Sequence, residues 1–367
     1  MLTSLIIISL LTGIIGCKTI EKEQASIESN VTYATGFKIE ALDNGIKKLT
    51  DGENQELLLI PNGQTIPFGY ESIPQIEVPV KKVVILSVTF GALMRPLGVL
   101  GSVVGSGTMP DELYIEEMKQ GYASGQIKYV GGGTMGAPDF EAIQMLKPDV
   151  VFCSTGYPDW LEYYEKMKTM GLNVVVCNDY LEVDPLARLE WIKFIAAFYE
   201  KDSLANSYFE GVVKRIDDIE TQVTASSRFV SVLWASIFMG SCYVSNGNSY
   251  VAKMIDMAGG DYVFKDIPGS DTSSISLEEL YARGKNANVF IYASTPPYIN
   301  SIKEITDNNP VLADLPTIIS GEVYYFQPWY FQISDKPDEI IQDLAYIFHP
   351  SRFPGYKLKH FALLPGQ

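Results

Sequence analysis

Residues 138–152 read PDFEAIQMLKPDVVF. Asp139 is suited to start a helix, and Glu141 follows two positions later, in its first turn. A short helical stretch then ends at Lys147-Pro148-Asp149, ahead of the β-branched run Val150-Val151-Phe152. The same order returns at 276–291, SLEELYARGKNANVFI, with Ser276 at the start, Glu278 two positions on and Val289-Phe290-Ile291 as the strand. Ser276 and Glu279 make an S-x-x-E capping box. A carboxylate in a first turn is favoured by the helix dipole by about 0.3–1 kcal/mol, so either glutamate alone needs no function. Two related units presenting Glu141 and Glu278 at the same place do call for one.

Working outward from 138–152, KKVVILSV (81–88), VLGSVVGSG (99–107), KPDVVFCS (147–154) and LNVVVCN (172–178) are apolar runs of strand length separated by helix-compatible stretches. Continuous apolar strands alternating with helices predict a parallel sheet covered on both faces. The pattern restarts after Ser226-Ser227 with RFVSVLWAS (228–236), SYVAKMIDMAGG (249–260), NVFIYAS (288–294), VYYFQPWYF (323–331) and the closing helix PDEIIQDLAYIFH (337–349). Between the two blocks, Leu204, Tyr208, Val212, Ile216, Ile219 and Val223 recur at spacings of three or four, giving one apolar stripe on a helix over 202–224. At 1.5 Å per residue such a helix is about 34 Å long, enough to run from one lobe to the next. The expected fold is α/β: two lobes with mainly parallel sheets joined by a single long α-helix. The lobes are placed at 78–184 and 228–350, the helical region at 185–225 and a tail at 351–367.

The N-terminus carries a different signal. Leu2 to Ile15 is apolar, too short for a comfortable span at roughly 20 residues but the length of a signal-peptide core. It ends in Ile14-Ile15-Gly16-Cys17, which resembles a lipobox, with 1–16 as leader, Cys17 as the lipidated residue and 17–30 as tether. No Lys or Arg precedes Cys17, a departure from the usual basic start. Residues 31–77 read as hairpins, with Asn44-Gly45 and Asn62-Gly63 as turns. Cys153, Cys177 and Cys242 show no CxxC spacing and are expected to be buried thiols.

The chain has 367 residues and a formal charge of −16, with no cluster of Lys and Arg, which argues against a nucleic-acid partner. Its two histidines, His349 and His360, both lie near the C-terminus, so capture of a bare transition metal is not expected. No G-x-S-x-G elbow surrounds any serine. An exported hydrolase and a ligand sensor are the function classes these residues leave open.

PDFEAIQMLKPDVVF with the preceding GGGTMGA, supported by KKVVILS, Arg95-Pro96-Leu97-Gly98 and GNSYVAKMIDMAGGDYVF, resembles the periplasmic-binding-protein type whose lobes are joined by one long helix. That type serves ABC importers of iron-siderophores, haem and vitamin B12. The resemblance implies a monomer with no cofactor of its own, a ligand held between the lobes, and an ABC permease and ATPase as partners. It also implies that Glu141 and Glu278 dock onto the permease. In open parallel sheets the crevice lies beyond the carboxyl ends of the strands. This nominates Thr89, Phe90, Met109, Met135, Tyr157 and Trp160 in the first lobe, and Trp234, Phe238, Tyr243, Asn246, Trp329 and Tyr330 in the second. The set is aromatic and free of Lys and Arg, which suits a bulky, mostly neutral metal chelate: a corrinoid first, a ferric hydroxamate siderophore next. A polyanionic catecholate chelate would be met by Arg or Lys.

Overall fold

The computed structural model describes residues 27–28, 31–132, 136–224 and 229–366. The predicted leader, Cys17 and nearly all of the tether lie outside these. No helix among the described residues is long and apolar enough to cross a membrane.

Three sheets build the molecule. The first runs β1 (Ile27–Glu28), β2 (Lys38–Ala41), β3 (Lys47–Thr50), β4 (Glu56–Pro61), β5 (Gln75–Val78) in spatial order. Asp43-Asn44-Gly45 turns β2 into antiparallel β3 as the Asn-Gly pair predicts, with Asn44 and Gly45 at positive φ. The second expected hairpin does not form. After Pro61-Asn62-Gly63 the chain loops away, and β5 returns parallel to β4. The actual partner hairpin, β3–β4, turns at Asp51–Gln55.

The second sheet is all parallel, in the order β10 (Val174–Val176), β9 (Val150–Cys153), β6 (Val83–Ile85), β7 (Val103–Ser106), β8 (Lys128–Tyr129). Every residue of β6, β9 and β10 is buried, which is why these strands read as unbroken apolar runs rather than alternating ones. The third sheet contains β11 (Ser231–Phe238), β12 (Ser241–Ser245), β13 (Asp261–Tyr262), β14 (Thr272–Ile275), β15 (Val289–Tyr292), β16 (Val323–Phe326) and β17 (Phe361–Leu363). Its parallel part, β16-β15-β11-β13, repeats the order β10-β9-β6-β7 of the first lobe. β12 and β14 add antiparallel strands beyond it, and β17, from the predicted tail, pairs antiparallel with β16. Of VYYFQPWYF only the first four residues are strand, because Pro328 cannot donate to a ladder.

Helices α1 (Val88–Met94), α2 (Glu116–Ala123), α3 (Phe140–Leu146) and α4 (Pro158–Thr169) belong to the first lobe. α5 (Pro185–Ala197) and α6 (Asp202–Thr224) form the connecting region. α7 (Tyr250–Met257), α8 (Leu277–Gly284), α9 (Ile302–Asn308), α10 (Pro316–Ser320) and α11 (Pro337–Phe348) belong to the second. α6 is the single long helix between the lobes and packs on α5 and α11. Its stripe is Ala205, Phe209, Val212, Ile216, Ile219 and Val223. The first turn is therefore rotated by one residue from the expected Leu204 and Tyr208, because the Phe209 ring packs 5.7 Å from Tyr33 of the N-terminal segment. α5 is buried almost all round, Glu190 included. That carboxylate accepts from Lys193 at 2.7 Å and from the backbone N–H groups of Thr32, Tyr33 and Ala34 at 2.7–2.9 Å. A buried charge so satisfied avoids the penalty of an unpaired one and pins the start of the folded chain to the middle of the molecule.

The lobes meet through polar contacts. Arg95 grips Asp335 at 2.5 and 3.1 Å, and the Tyr208 hydroxyl donates to the Asp335 carbonyl at 2.9 Å. Gln332 of the second lobe accepts from Tyr114 N at 2.8 Å and donates to the Glu112 carbonyl at 2.7 Å.

Candidate functional site

The carboxyl ends of both parallel sheets face one cleft of about 610 Å³, within the roughly 300–1,000 Å³ range of small-molecule sites. In the first lobe the loops after β6 and β7 bring Ser87, Val88, Thr108, Asp111, Glu112 and Tyr114 to it. The end of β9 and the segment after it add Cys153, Ser154, Trp160, Tyr163 and Met167. In the second lobe Pro296, Pro297 and Tyr298 follow β15, and Pro328, Phe331 and Gln332 follow β16. Asp111 and Glu112, both exposed, are the acidic residues of the lining, and no Lys or Arg is among the described lining residues. Burial pushes the Cys153 thiol well above its ordinary range, so it sits in the wall as a small neutral group. Among the described residues no group of three or more His, Cys, Asp or Glu is placed to hold a metal ion.

Of the nominated residues, Trp160 lines the cleft. Tyr157 lies beside it, half-exposed, with ring centroids 4.7 Å apart, and Tyr180 completes the cluster at 5.9 Å from Trp160. The Tyr180 hydroxyl lies 1.6 Å from where a Cβ on Gly156 would stand, so any side chain there must push the Tyr180 ring aside. Met109 is exposed between lining residues Thr108 and Asp111. Trp329 packs 6.1 Å from the lining residue Tyr114 and donates to His360 Nδ1 at 3.2 Å. Thr89 bonds Ser87 Oγ and accepts from Ser334, which makes it an inter-lobe contact.

Others belong elsewhere. Phe90 is fully buried against Phe152, on the inner side of α1. Trp234 is buried against Phe326 and Phe361, and Tyr330 stacks on Phe326 at 4.0 Å. Asn246 is buried and donates to the Pro268 carbonyl at 3.2 Å. These four are core residues because the strand-end rule places a segment near the cleft without telling which side chains turn inward. Phe238 and Tyr243 lie on the β11–β12 hairpin, outside the lining. Met135 lies outside the described residues. The rule missed Tyr163 and Phe331, and it stopped one 3₁₀ turn short of Asp111 and Glu112 (Pro110–Glu112).

Glu141 and Glu278 are both exposed second residues of their helices, α3 and α8. Neither makes the cap. Asp139 Oδ1 accepts from Ala142 N at 2.9 Å, and Ser276 Oγ from Glu279 N at 3.1 Å. Both helices start on the cleft side. α3 follows the lining residue Pro138, and β14, which leads into α8, runs in the direction of β11 through two antiparallel steps.

The sequence profile of the periplasmic binding protein family matches residues 89–329. The chain belongs to that family. An uncharacterized lipoprotein of Methanocaldococcus jannaschii is 34% identical over 327 residues, covering 86% of this chain and 77% of the relative. Among solved structures, a periplasmic heme binding protein from Pseudomonas aeruginosa aligns with a TM-score of 0.62 at 18% identity, covering 78% of this chain and 100% of its own. An ABC-type Fe3+-hydroxamate transport protein from Saccharomonospora viridis aligns at TM-score 0.57 and 19% identity, covering 75% and 94%. At these identities the structures share the fold. A solute-binding fold of this family, with a cleft between two like lobes, is what the two halves of the sequence encode.

Proposed function

We propose that this chain is a lipid-anchored extracytoplasmic binding protein that captures a bulky metal chelate of neutral or positive charge, a corrinoid or a ferric hydroxamate, for an ABC importer. The observation that carries the reading is the cleft: aromatic and proline walls from both lobes, with Asp111 and Glu112 as its fixed charges. Such walls suit an apolar body with scattered hydrogen-bonding groups. Carboxylates without cations disfavour a polyanionic chelate by like-charge repulsion. The haem-binding and Fe3+-hydroxamate-transport proteins that share this fold support a metal chelate as ligand, and the Methanocaldococcus jannaschii lipoprotein supports the anchor at Cys17.

The carboxylates of Glu141 and Glu278 dock onto the permease. Among the described residues neither pairs with a cation, and other groups cap their helices. They are thus available to basic groups on a partner. The test is a fluorescence titration of the chain from Lys18 onward with cyanocobalamin, haem, ferrioxamine B and a ferric tris-catecholate. Quenching by cyanocobalamin or ferrioxamine B, with none by the catecholate, is the expected result. A preference for the catecholate, or no response to any chelate, overturns it.

A further inference from the structure

The N-terminal sheet stands outside the residues that the family profile matches, yet its β3–β4 turn reaches the cleft wall. Asp51, 1% exposed, organises that turn: its Oδ1 accepts from Glu53 N at 3.0 Å and Gln55 N at 2.9 Å. Its Oδ2 accepts from Val176 N at 3.0 Å, and Gly52 N donates to Val176 O at 3.0 Å. The turn is therefore welded to the carboxyl end of β10. Gly52 is tightly enclosed: a Cβ would meet Val176 Cγ1 at 3.0 Å and Asn178 Nδ2 at 3.1 Å, so both would have to give by a few tenths of an ångström.

From this platform two side chains reach into the first lobe. The Glu53 carboxylate accepts from the Thr155 hydroxyl, and Gln55 Oε1 accepts from the Tyr164 hydroxyl at 2.8 Å. Asn178 ties Thr155 down further, accepting from its N–H and donating to its hydroxyl, both at 3.0 Å. Thr155 and Tyr164 bracket the segment that carries Trp160 and Tyr163 to the cleft, and Ser154 precedes it directly.

We propose that Glu53 and Gln55 are positioning residues for the binding cleft, holding the 155–164 wall at both ends from a sheet that lends no residue to the lining. The inference rests on the cleft being the binding site, but the clamp is a property of the unliganded chain and is testable without any ligand.

The experiment compares wild type, Glu53→Ala/Gln55→Ala, and Glu53→Gln, which keeps an acceptor for Thr155. Hydrogen exchange is followed on the ligand-free protein, with β11 and α11 as internal references. In the double variant, amides of 156–164 should exchange about tenfold faster, the effect of losing hydrogen bonds worth about that factor in a local opening equilibrium. The reference amides and Tm should stay close to wild type, and Glu53→Gln should recover most of the protection. Unchanged exchange in 156–164, or acceleration spread evenly over the chain, overturns the clamp. For whichever of cyanocobalamin or ferrioxamine B binds wild type, the double variant should release it about tenfold faster. Unchanged dissociation despite faster exchange overturns the positioning role. Absence of wild-type binding to either probe counts against the proposed ligand class alone, and the exchange result then decides the clamp.

Discussion

The two lobes share a strand order and differ at the strand ends. In the first, the segments beyond β6, β7 and β9, the start of α4 included, carry Ser87, Thr108, Asp111, Glu112, Ser154, Trp160 and Tyr163, a mixed set with hydrogen-bonding groups and charge. In the second, the segments beyond β15 and β16 offer Thr295, Pro296, Pro297, Tyr298, Pro328, Phe331 and Gln332, an uncharged set stiffened by proline. Beyond β11 the chain folds back as the β11–β12 hairpin. The helix starts that hold Glu141 and Glu278 nevertheless stay alike. The like pair of carboxylates proposed for docking suits a partner with like halves, whereas an unlike pair of cleft faces suits an asymmetric ligand. On this reading the first lobe selects and the second covers.

The sharpest attack on the likeness is Glu141→Ala with Glu278→Ala. Each removes one charge contact of the size measured for close interfacial pairs, about 1.5 kcal/mol or more, so uptake by vesicles holding the permease and ATPase should fall by about two orders of magnitude. Chelate affinity of the isolated protein should stay at wild type. Equal uptake by wild type and the double variant removes the docking role. Two single variants of very different severity break the symmetry while keeping the role.

The unlikeness is tested next by Gly156→Ala against Tyr298→Ala. A methyl at 156 collides with the Tyr180 hydroxyl, so the Tyr157–Trp160–Tyr180 cluster must shift. Overpacking of this kind costs about 1–3 kcal/mol of stability and should weaken chelate binding as well. Tyr298 is 76% exposed, so its truncation should leave stability within about 0.5 kcal/mol while lowering affinity. Denaturant melts and titrations on the two proteins separate a built wall from a cover. If both variants lose stability alike, the division of labour between lobes fails.

Two carboxylates, Asp179 in the first lobe and Glu339 in the second, should respond to pH with opposite sign. Burial lifts Asp179 of the first lobe to about 7, against the pull of Arg188. Its folded state holds a proton that the unfolded state has given up, so stability declines as pH rises from about 4 through 7. Between pH 6 and 8 the expected loss is about 1.4 kcal/mol, and Asp179→Asn should flatten it. Glu339 of the second lobe is held down to about 2, first by His360 and then by Lys359. Its stabilisation is present above the usual glutamate range and is lost as pH falls from about 4.5 through 2. Thermal melts of Asp179→Asn and Glu339→Gln across that range check both signs.

Most of the fold was legible because burial on both faces leaves its mark in composition: β6, β9 and β10 could hardly be anything but interior strands. Tight local chemistry was equally readable, as at Asn44-Gly45, Asp139 and Ser276. What escaped depends on long-range pairing or on rotation about the chain. Nothing near Pro61 announces that β4 pairs with a parallel strand 14 residues beyond it. In Trp329-Tyr330-Phe331 the three aromatic residues are indistinguishable by composition, yet Phe331 lines the cleft and Tyr330 stacks in the core. The contribution of Asp51, Glu53 and Gln55 to the wall is invisible for the same reason, since their partners lie more than a hundred residues away.

Charge at the cleft mouth should give the smallest effect and the finest discrimination. Asp111→Asn with Glu112→Gln removes two exposed carboxylates without changing shape, and exposed charges act through a screened field. A cationic chelate such as ferrioxamine B should therefore bind about three- to tenfold more weakly to the double variant at low ionic strength, with the gap closing by about 1 M salt. A neutral corrinoid should be indifferent to the change, because it gains nothing from the two charges. A ferric tris-catecholate should bind better than before if repulsion at the mouth is what turns it away. Should all three chelates respond alike, the carboxylates act through hydrogen bonds or loop structure rather than charge, and the first lobe would select by shape alone.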